Sequence, residues 1–109
     1  MAKLRITPGV CGMTTVVNVK QTKDKAFCIT VESQCETVKT LSAKLPPLTP
    51  RDAFKKIAEN PIYGAASACL QHVACPVPCG ILKAFEVEAG VAVAKNIHME
   101  FVGEDEEDS

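Results

Sequence analysis

The first third of the chain contains three strand-like segments, of which the first and third alternate between hydrophobic and polar residues and the second is rich in β-branched residues. In the third of these segments, Phe27, Ile29 and Val31 alternate with Cys28 and Thr30. Strict alternation is typical of a strand with one buried face, because successive side chains of a strand point to opposite faces. Glycines and polar residues separate the segments and favour turns. The sequence therefore predicts three strands, over residues 3–7, 13–20 and 26–32.

From residue 33 onward the apolar spacing changes to that of a helix. Ser33 and Glu36 have the spacing of a capping box, which predicts a helix that begins there and ends before Pro46. Thr49 gives a second start signal, because a proline follows it at the first helical position. The remaining pattern predicts a second helix ending before Pro61, helices over about 61–72 and 78–94, and a last strand over 97–101.

Strands followed by helices indicate an α+β fold. We expect a mainly antiparallel sheet of about four strands, in βββ-αααα-β order, covered on one face by helices. A chain of 109 residues fits a single domain. We assign this domain to residues 1–102 and interpret residues 103–109, which are rich in Asp and Glu, as an acidic disordered tail.

Composition and charge narrow the possible functions. The net charge is −1, but the tail holds five acids, which leaves 12 basic and 8 acidic residues in the rest of the chain. With one Tyr, four Phe and no Trp, that part lacks both the basic stripe and the stacking aromatics of a nucleic-acid binder. No apolar run predicts a membrane span, and no signal-peptide pattern opens the chain, so we expect a cytoplasmic protein.

Six cysteines are the strongest chemical signal in the chain. In a reducing cytoplasm, thiols serve in metal binding, redox chemistry or simple packing. Cys28 lies within a predicted strand and Cys69 on the apolar side of a predicted helix, so we interpret both as packing residues. Glu and Lys residues form only the polar sides of predicted helices, and no arrangement of Ser, His and Asp predicts a catalytic site. The sequence leaves open whether the protein is an enzyme.

The other four cysteines lie at a predicted turn or near the start of a predicted helix. They are Cys11, Cys35, Cys75 and Cys79. Helix starts favour the thiolate form, which binds metals, and the two prolines between Cys75 and Cys79 stiffen that segment. His72 lies three residues before Cys75 and is a possible extra ligand. The spacing matches no standard zinc or ferredoxin template.

The sequence resembles a family of short proteins of unknown function from anaerobic bacteria and archaea. The resemblance is carried by Gly9-Val10-Cys11-Gly12, by Ser33-Gln34-Cys35 and by the segment from His72 to Pro78, and it spans about residues 3–102. It implies that Cys11, Cys35 and Cys75 recur within the family, and that serine can replace Cys79. A site with three thiolates and an exchangeable fourth ligand would satisfy this pattern. The family has no established activity.

Three functions agree with these observations. The first is a metal-binding protein in which Cys11, Cys35, Cys75 and Cys79, with His72 as a possible addition, hold an iron–sulfur cluster or zinc. The second is a thiol–disulfide redox protein that uses Cys75 and Cys79 as a pair. The third is a non-catalytic binding or assembly module with structural cysteines and a protein partner or a second copy of itself. We favour the first.

Overall fold

The computed structural model describes residues 1–104, which contain one three-stranded antiparallel sheet. Its strands, in the order in which they lie in the sheet, are β1 (Ala2–Ile6), β2 (Thr15–Gln21) and β3 (Phe27–Ser33). Leu4 pairs with Val17, and Val17 pairs with Val31. Because paired residues lie on the same face, these three side chains form one row across the sheet.

Three α-helices and two short 3₁₀ helices follow the sheet. The α-helices are α1 (Glu36–Lys44), α2 (Pro61–Cys69) and α3 (Val77–Glu88), and the 3₁₀ helices between α1 and α2 are Pro50–Phe54 and Ile57–Glu59. Pro61 occupies the first turn of α2, and the side chain of Asn60 accepts a hydrogen bond from the Ile62 N–H at 2.9 Å. This cap satisfies a backbone donor that the helix itself cannot satisfy.

The helices cover one face of the sheet and bury the core there. Val17 and Val19 of β2 are fully buried, and the Phe27 and Phe85 rings meet edge to face with centroids 5.3 Å apart. The alternate residues of the same strands, such as Thr30 and Glu32, are exposed on the opposite face. The predicted α+β fold with an antiparallel sheet is therefore confirmed.

Two predictions about strands and helix order are not confirmed. Residues 97–101 form no strand, so the described sheet has three strands and not four. The predicted second helix is two separate 3₁₀ turns, broken at Lys55 and Lys56, whose backbones are extended. The capping box at its start does form: Asp52 accepts a hydrogen bond from the Thr49 N–H at 2.8 Å.

Three helix boundaries also differ from the predicted ones. Helix α1 starts at Glu36 with Cys35 as its N-cap, because Ser33 belongs to β3 and its hydroxyl accepts the Cys35 N–H at 3.1 Å. Helix α2 stops at Cys69. Helix α3 stops at Glu88 because Gly90 has a φ of 80°. The Val91 N–H then bonds back to the Glu86 carbonyl at 3.0 Å, which is the Schellman ending of a helix.

No helix in residues 1–104 has the length and apolar character that crossing a bilayer requires. Most of the predicted acidic tail, residues 105–109, lies outside the described residues. The cytoplasmic location and the disorder of the tail stay predictions.

Candidate metal centre

The fold brings the cysteine-bearing segments to one end of the sheet. At this end β1 finishes at Ile6, β2 starts at Thr15 and β3 finishes at Ser33, and these three residues are paired side by side. Cys11 lies in the connection from β1 to β2, and Cys35 follows β3 at the start of α1. We call this region, with the residues just before and within the first turn of α3, the cysteine end.

Helix α3 has its first turn at the cysteine end because it runs antiparallel to β1. A Cβ added at Gly80 would contact the side chains of Ile6 and Leu4, so the first turn of the helix lies directly on the end of β1. At the other end of the helix, Glu88 accepts the backbone N–H of Gln21 at 3.4 Å and pairs with the Met1 amino group at 3.3 Å. The orientation of α3 therefore places Cys75 and Cys79 at the same end of the sheet as Cys11 and Cys35.

Cys11 occupies an exposed tight turn. The Gly12 N–H donates to the Gly9 carbonyl at 3.0 Å, and these glycines have φ values of 66° and 87°. Side chains with a Cβ rarely adopt such values, so the turn depends on both glycines. The Cys11 thiol is exposed and is free to meet a ligand or a neighbouring segment.

Cys35 is half-buried, and its surroundings favour the thiolate. Its sulfur lies 3.2 Å from the Thr37 hydroxyl oxygen. This hydrogen bond, together with the Val38 and Thr37 backbone N–H groups of the first turn, lowers the pKa of the Cys35 thiol, although burial and the Glu36 carboxylate oppose the shift. A helix N-terminus stabilises a negative charge in the same way. The surroundings of Cys35 therefore stabilise its thiolate form.

Cys75 and Cys79 lie on either side of the start of α3. Cys75 is half-buried, and its backbone N–H donates to the His72 carbonyl at 3.1 Å, which closes a turn before the helix. Cys79 is exposed on the side of α3 that faces Tyr63. Burial raises the pKa of Tyr63, and the nearby Cys79 thiol adds to this increase.

His72, the possible extra ligand, lies outside any helix. Because α2 ends at Cys69, His72 and Cys75 both lie in the connection between α2 and α3, and the His72 side chain is exposed. In the structure the backbone of His72, rather than its ring, contacts Cys75.

The four predicted ligands share one end of the sheet, but the structure does not bring them within reach of one ion. Across residues 1–104, no group of three or more His, Cys, Asp or Glu side chains has a geometry that could hold a metal. A shallow depression separates the Cys11 connection from the start of α1, and Gly12, Thr14, Glu32 and Gln34 are among the residues that line it.

Of the remaining two cysteines, Cys69 lies near the cysteine end and Cys28 is remote from it. Cys28 is exposed on the open face of the sheet, at the second residue of β3, where it pairs with Lys20. Cys69 is half-buried against the core at the end of α2. Since α2 begins beside Glu86 and leads through a short connection into α3, its last residue points back to the cysteine end. Sequence spacing alone gave no sign that Cys69 lies there.

A family model matches residues 2–101 of the chain. The chain belongs to DUF6951, a family of unknown function. This match confirms the resemblance to an uncharacterised family, whereas the anaerobic sources and the recurrence of particular cysteines stay predictions. No curated protein and no solved structure matches the chain. Membership in DUF6951 therefore assigns the chain to a family but gives it no activity.

Proposed function

We propose that this protein binds a metal ion or cluster, zinc or iron–sulfur, through Cys11, Cys35, Cys75 and Cys79. The observation that carries the proposal is the common location of these residues. Four thiols from three separate stretches of the chain lie at one end of a three-stranded sheet. Sulfur-only ligand sets suit both zinc and iron–sulfur clusters.

The electrostatics of the cysteine end support the same function. Helices α1 and α3 both begin there, so the unpaired N–H groups of two helix starts contribute positive potential. The Thr37 hydroxyl and, after it, the backbone N–H groups at the start of α1 lower the pKa of the Cys35 thiol. A metal ion competes with protons for thiolates, so a thiol that loses its proton easily binds metal at a lower pH.

Metal binding requires the thiols to approach one another more closely than they do in the structure. Cys35 and Cys75 pack against the rigid core, whereas the connection that carries Cys11 is exposed and turns on two glycines. We therefore assign the movement to this connection, which closes toward the starts of α1 and α3. Cys79 or His72 then supplies the fourth ligand.

The direct test compares metal binding by single Cys→Ser variants. Purified protein is given zinc alone, or ferrous iron with sulfide under anaerobic reducing conditions, and bound metal is measured by elemental analysis and visible absorbance. Changing only the outer surroundings of a metal ligand typically weakens binding about 10–100-fold, so we expect at least a comparable loss for C11S, C35S and C75S. Circular dichroism checks that each variant is folded.

The matched control is Cys28→Ser. Cys28 is exposed like Cys11, but it lies on the open face of the sheet away from the cysteine end. C28S should bind metal as the wild type does. Failure of the wild-type protein to bind either metal, or an equal loss in C28S and C35S, would contradict the proposal.

The redox alternative is tested on the same samples. Oxidised glutathione can accept two electrons from Cys75 and Cys79, which form a disulfide while two glutathione thiols are released. All six cysteines are free in the structure. A count of four free thiols after this treatment in metal-free protein, restored to the expected five in C75S, would favour redox chemistry over metal binding.

A further inference from the structure

We propose that the C-terminal segment 97–101 of one molecule pairs as a fourth strand with the free edge of β1 in a second copy of the chain. The proposal does not involve the thiols. It rests on an apolar alternating segment that has no partner in the described structure, and on a sheet edge whose properties complement it.

The segment has the side-chain pattern of a strand with one buried face. Ile97, Met99 and Phe101 alternate, and their side chains are 51%, 85% and 108% exposed. His98 and Glu100 lie on the other side of the chain, where the imidazole Nε2 and a carboxylate oxygen are 3.2 Å apart. Apolar residues this exposed in an alternating run indicate a surface that becomes covered on binding.

The edge of β1 is the open edge of the sheet. The outer edge of β3 is already used, because Phe27 exchanges two backbone hydrogen bonds with Leu48 and the Val31 N–H donates to the Ser42 hydroxyl. In β1, by contrast, Leu4 and Ile6 are only half-buried. The core-facing side of β1 therefore lacks a neighbour that would finish covering it.

The register identifies the backbone groups that the edge offers. Phe27 and Val31 direct their backbone groups away from β2, so the alternate residues of β3 bond to β2. The same alternation holds in the paired residues of β2 and β1. In β1 the backbone groups of Leu4 therefore point toward β2, and those of Lys3 and Arg5 point outward from the edge. A strand added here can form hydrogen bonds with both residues.

The added strand complements the edge of β1 in both charge and hydrophobicity. With Ile97, Met99 and Phe101 on the core side beside Leu4 and Ile6, the polar side of the segment lies next to Lys3 and Arg5.

Glu100 then faces these cations. Without a partner strand, Lys and Arg at an edge discourage nonspecific pairing, so an acidic partner is favoured over a neutral one.

A second copy is the partner because each molecule carries both halves of this contact. In a dimer with twofold symmetry, the segment of each molecule pairs with the β1 edge of the other, so both segments and both edges gain a partner. In the described structure the segment is not part of the sheet, and the molecule measures 52 Å along its longest axis against 25 Å along the shortest. We therefore expect a dimer whose two sheets each contain four strands.

The test measures molar mass by light scattering during size-exclusion chromatography, over about a hundredfold range of protein concentration. The full-length protein should pass from monomer to dimer. Phe101→Glu should raise the dissociation constant at least about tenfold, because it removes a large apolar side chain from the contact. Arg5→Pro, which removes both an outward-facing N–H of the edge and one of the cations that face Glu100, should act similarly.

The matched control is Val73→Glu. Val73 is as exposed as Phe101, at 106%, but lies in the connection between α2 and α3. V73E should dimerise as the wild type does. A monomeric wild type at every concentration, or equal effects of F101E and V73E, would overturn the proposal.

Hydrogen exchange distinguishes pairing with a second copy from pairing with the molecule's own β1. The amides of residues 97–101 should be protected in the dimer and unprotected in the monomer. Protection in the monomer would assign the segment to its own sheet and would overturn the dimer.

Discussion

The two ends of the sheet are stabilised in different ways. At the end opposite the cysteines, polar groups are buried and fully bonded: Asp52 and Asn60 are each only 5% exposed, and Lys55 pairs with the Asp52 carboxylate at 2.7 Å. Burial raises the pKa of Asp52, but Lys55 and the Thr49 N–H lower it by more. Glu88 also ties α3 to the start of the sheet there.

The cysteine end has a smaller network: the buried Thr15 hydroxyl donates to the Ser33 hydroxyl oxygen at 3.0 Å, and this oxygen accepts the Cys35 N–H at 3.1 Å. The Cys11 connection forms a local turn, and the Cys35 sulfur bonds within its own helix start. The comparison indicates that the larger buried hydrogen-bond network lies at the opposite end, whereas the Cys11 connection is exposed. Breaking bonds at the opposite end should therefore reduce stability most, and changes at the cysteine end should affect thiol chemistry more.

Asn60→Ala should have the largest effect on stability. Asn60 donates to the Asp52 carbonyl at 2.9 Å and caps α2 through the Ile62 N–H, so its removal leaves two buried backbone groups without partners. We expect a loss of about 2–3 kcal/mol in the free energy of unfolding. Chemical denaturation measures this value. A loss below about 0.5 kcal/mol would contradict the role assigned to the opposite end.

Two glycine substitutions in helices should have opposite effects of intermediate size. Gly80→Ala places a methyl group against Ile6 and Leu4 and should cost about 1–2 kcal/mol. Gly64→Ala in α2 meets no atom within 4 Å and should stabilise the protein by about 0.5–1 kcal/mol. Thermal unfolding of both variants checks the signs. Equal shifts would show that α3 does not rest on β1 as closely as described.

Thr37→Val should have the smallest effect on stability and a clear effect on thiol chemistry. Removing the hydroxyl that bonds the Cys35 sulfur should raise the pKa of that thiol toward its usual value of 9.0. Alkylation of Cys35 at neutral pH should slow about severalfold. Thr40→Val is the control, because Thr40 bonds only the Glu36 carbonyl. Identical alkylation rates in the two variants would contradict the assignment.

The lowered pKa of Cys35 also makes the free energy of unfolding depend on pH. The folded state holds the Cys35 thiolate at a lower pKa than the unfolded chain does, so ionisation of this thiol favours folding. Its contribution is fully present above the unfolded pKa of about 9.0 and is lost as the pH falls through the lowered folded value. In T37V this alkaline contribution should shrink.

Alternation predicted β1 and β3 well because one face of each strand meets the core: Val31 is buried while Glu32 is not. The β-branched residues predicted β2, where only the structure shows that Val17 is buried and Val16 is not. Alternation also predicted a fourth strand at 97–101, where the structure has none. Alternation shows that a segment can form a strand, but hydrogen bonds to a neighbour decide whether it does so.

The candidate site was only partly predictable. The four cysteines could be selected because each lies near a turn or a helix start. Their common location depends on the direction of α3 along β1, which follows from the contact of Gly80 with Ile6 and from the tether at Glu88. These contacts join residues more than 60 positions apart, which local spacing does not encode. The same holds for Cys69, whose position follows from the path of α2.

The reversal at Gly90 has a consequence for how molecules exchange strands. It fixes the direction in which the chain leaves α3, so residues 91–96 connect the end of this helix to segment 97–101. Six extended residues reach about 20 Å. Whether segment 97–101 meets a neighbour's sheet or its own then depends on this reach, and inserting or deleting residues in this connection should change the balance between self-association and closure.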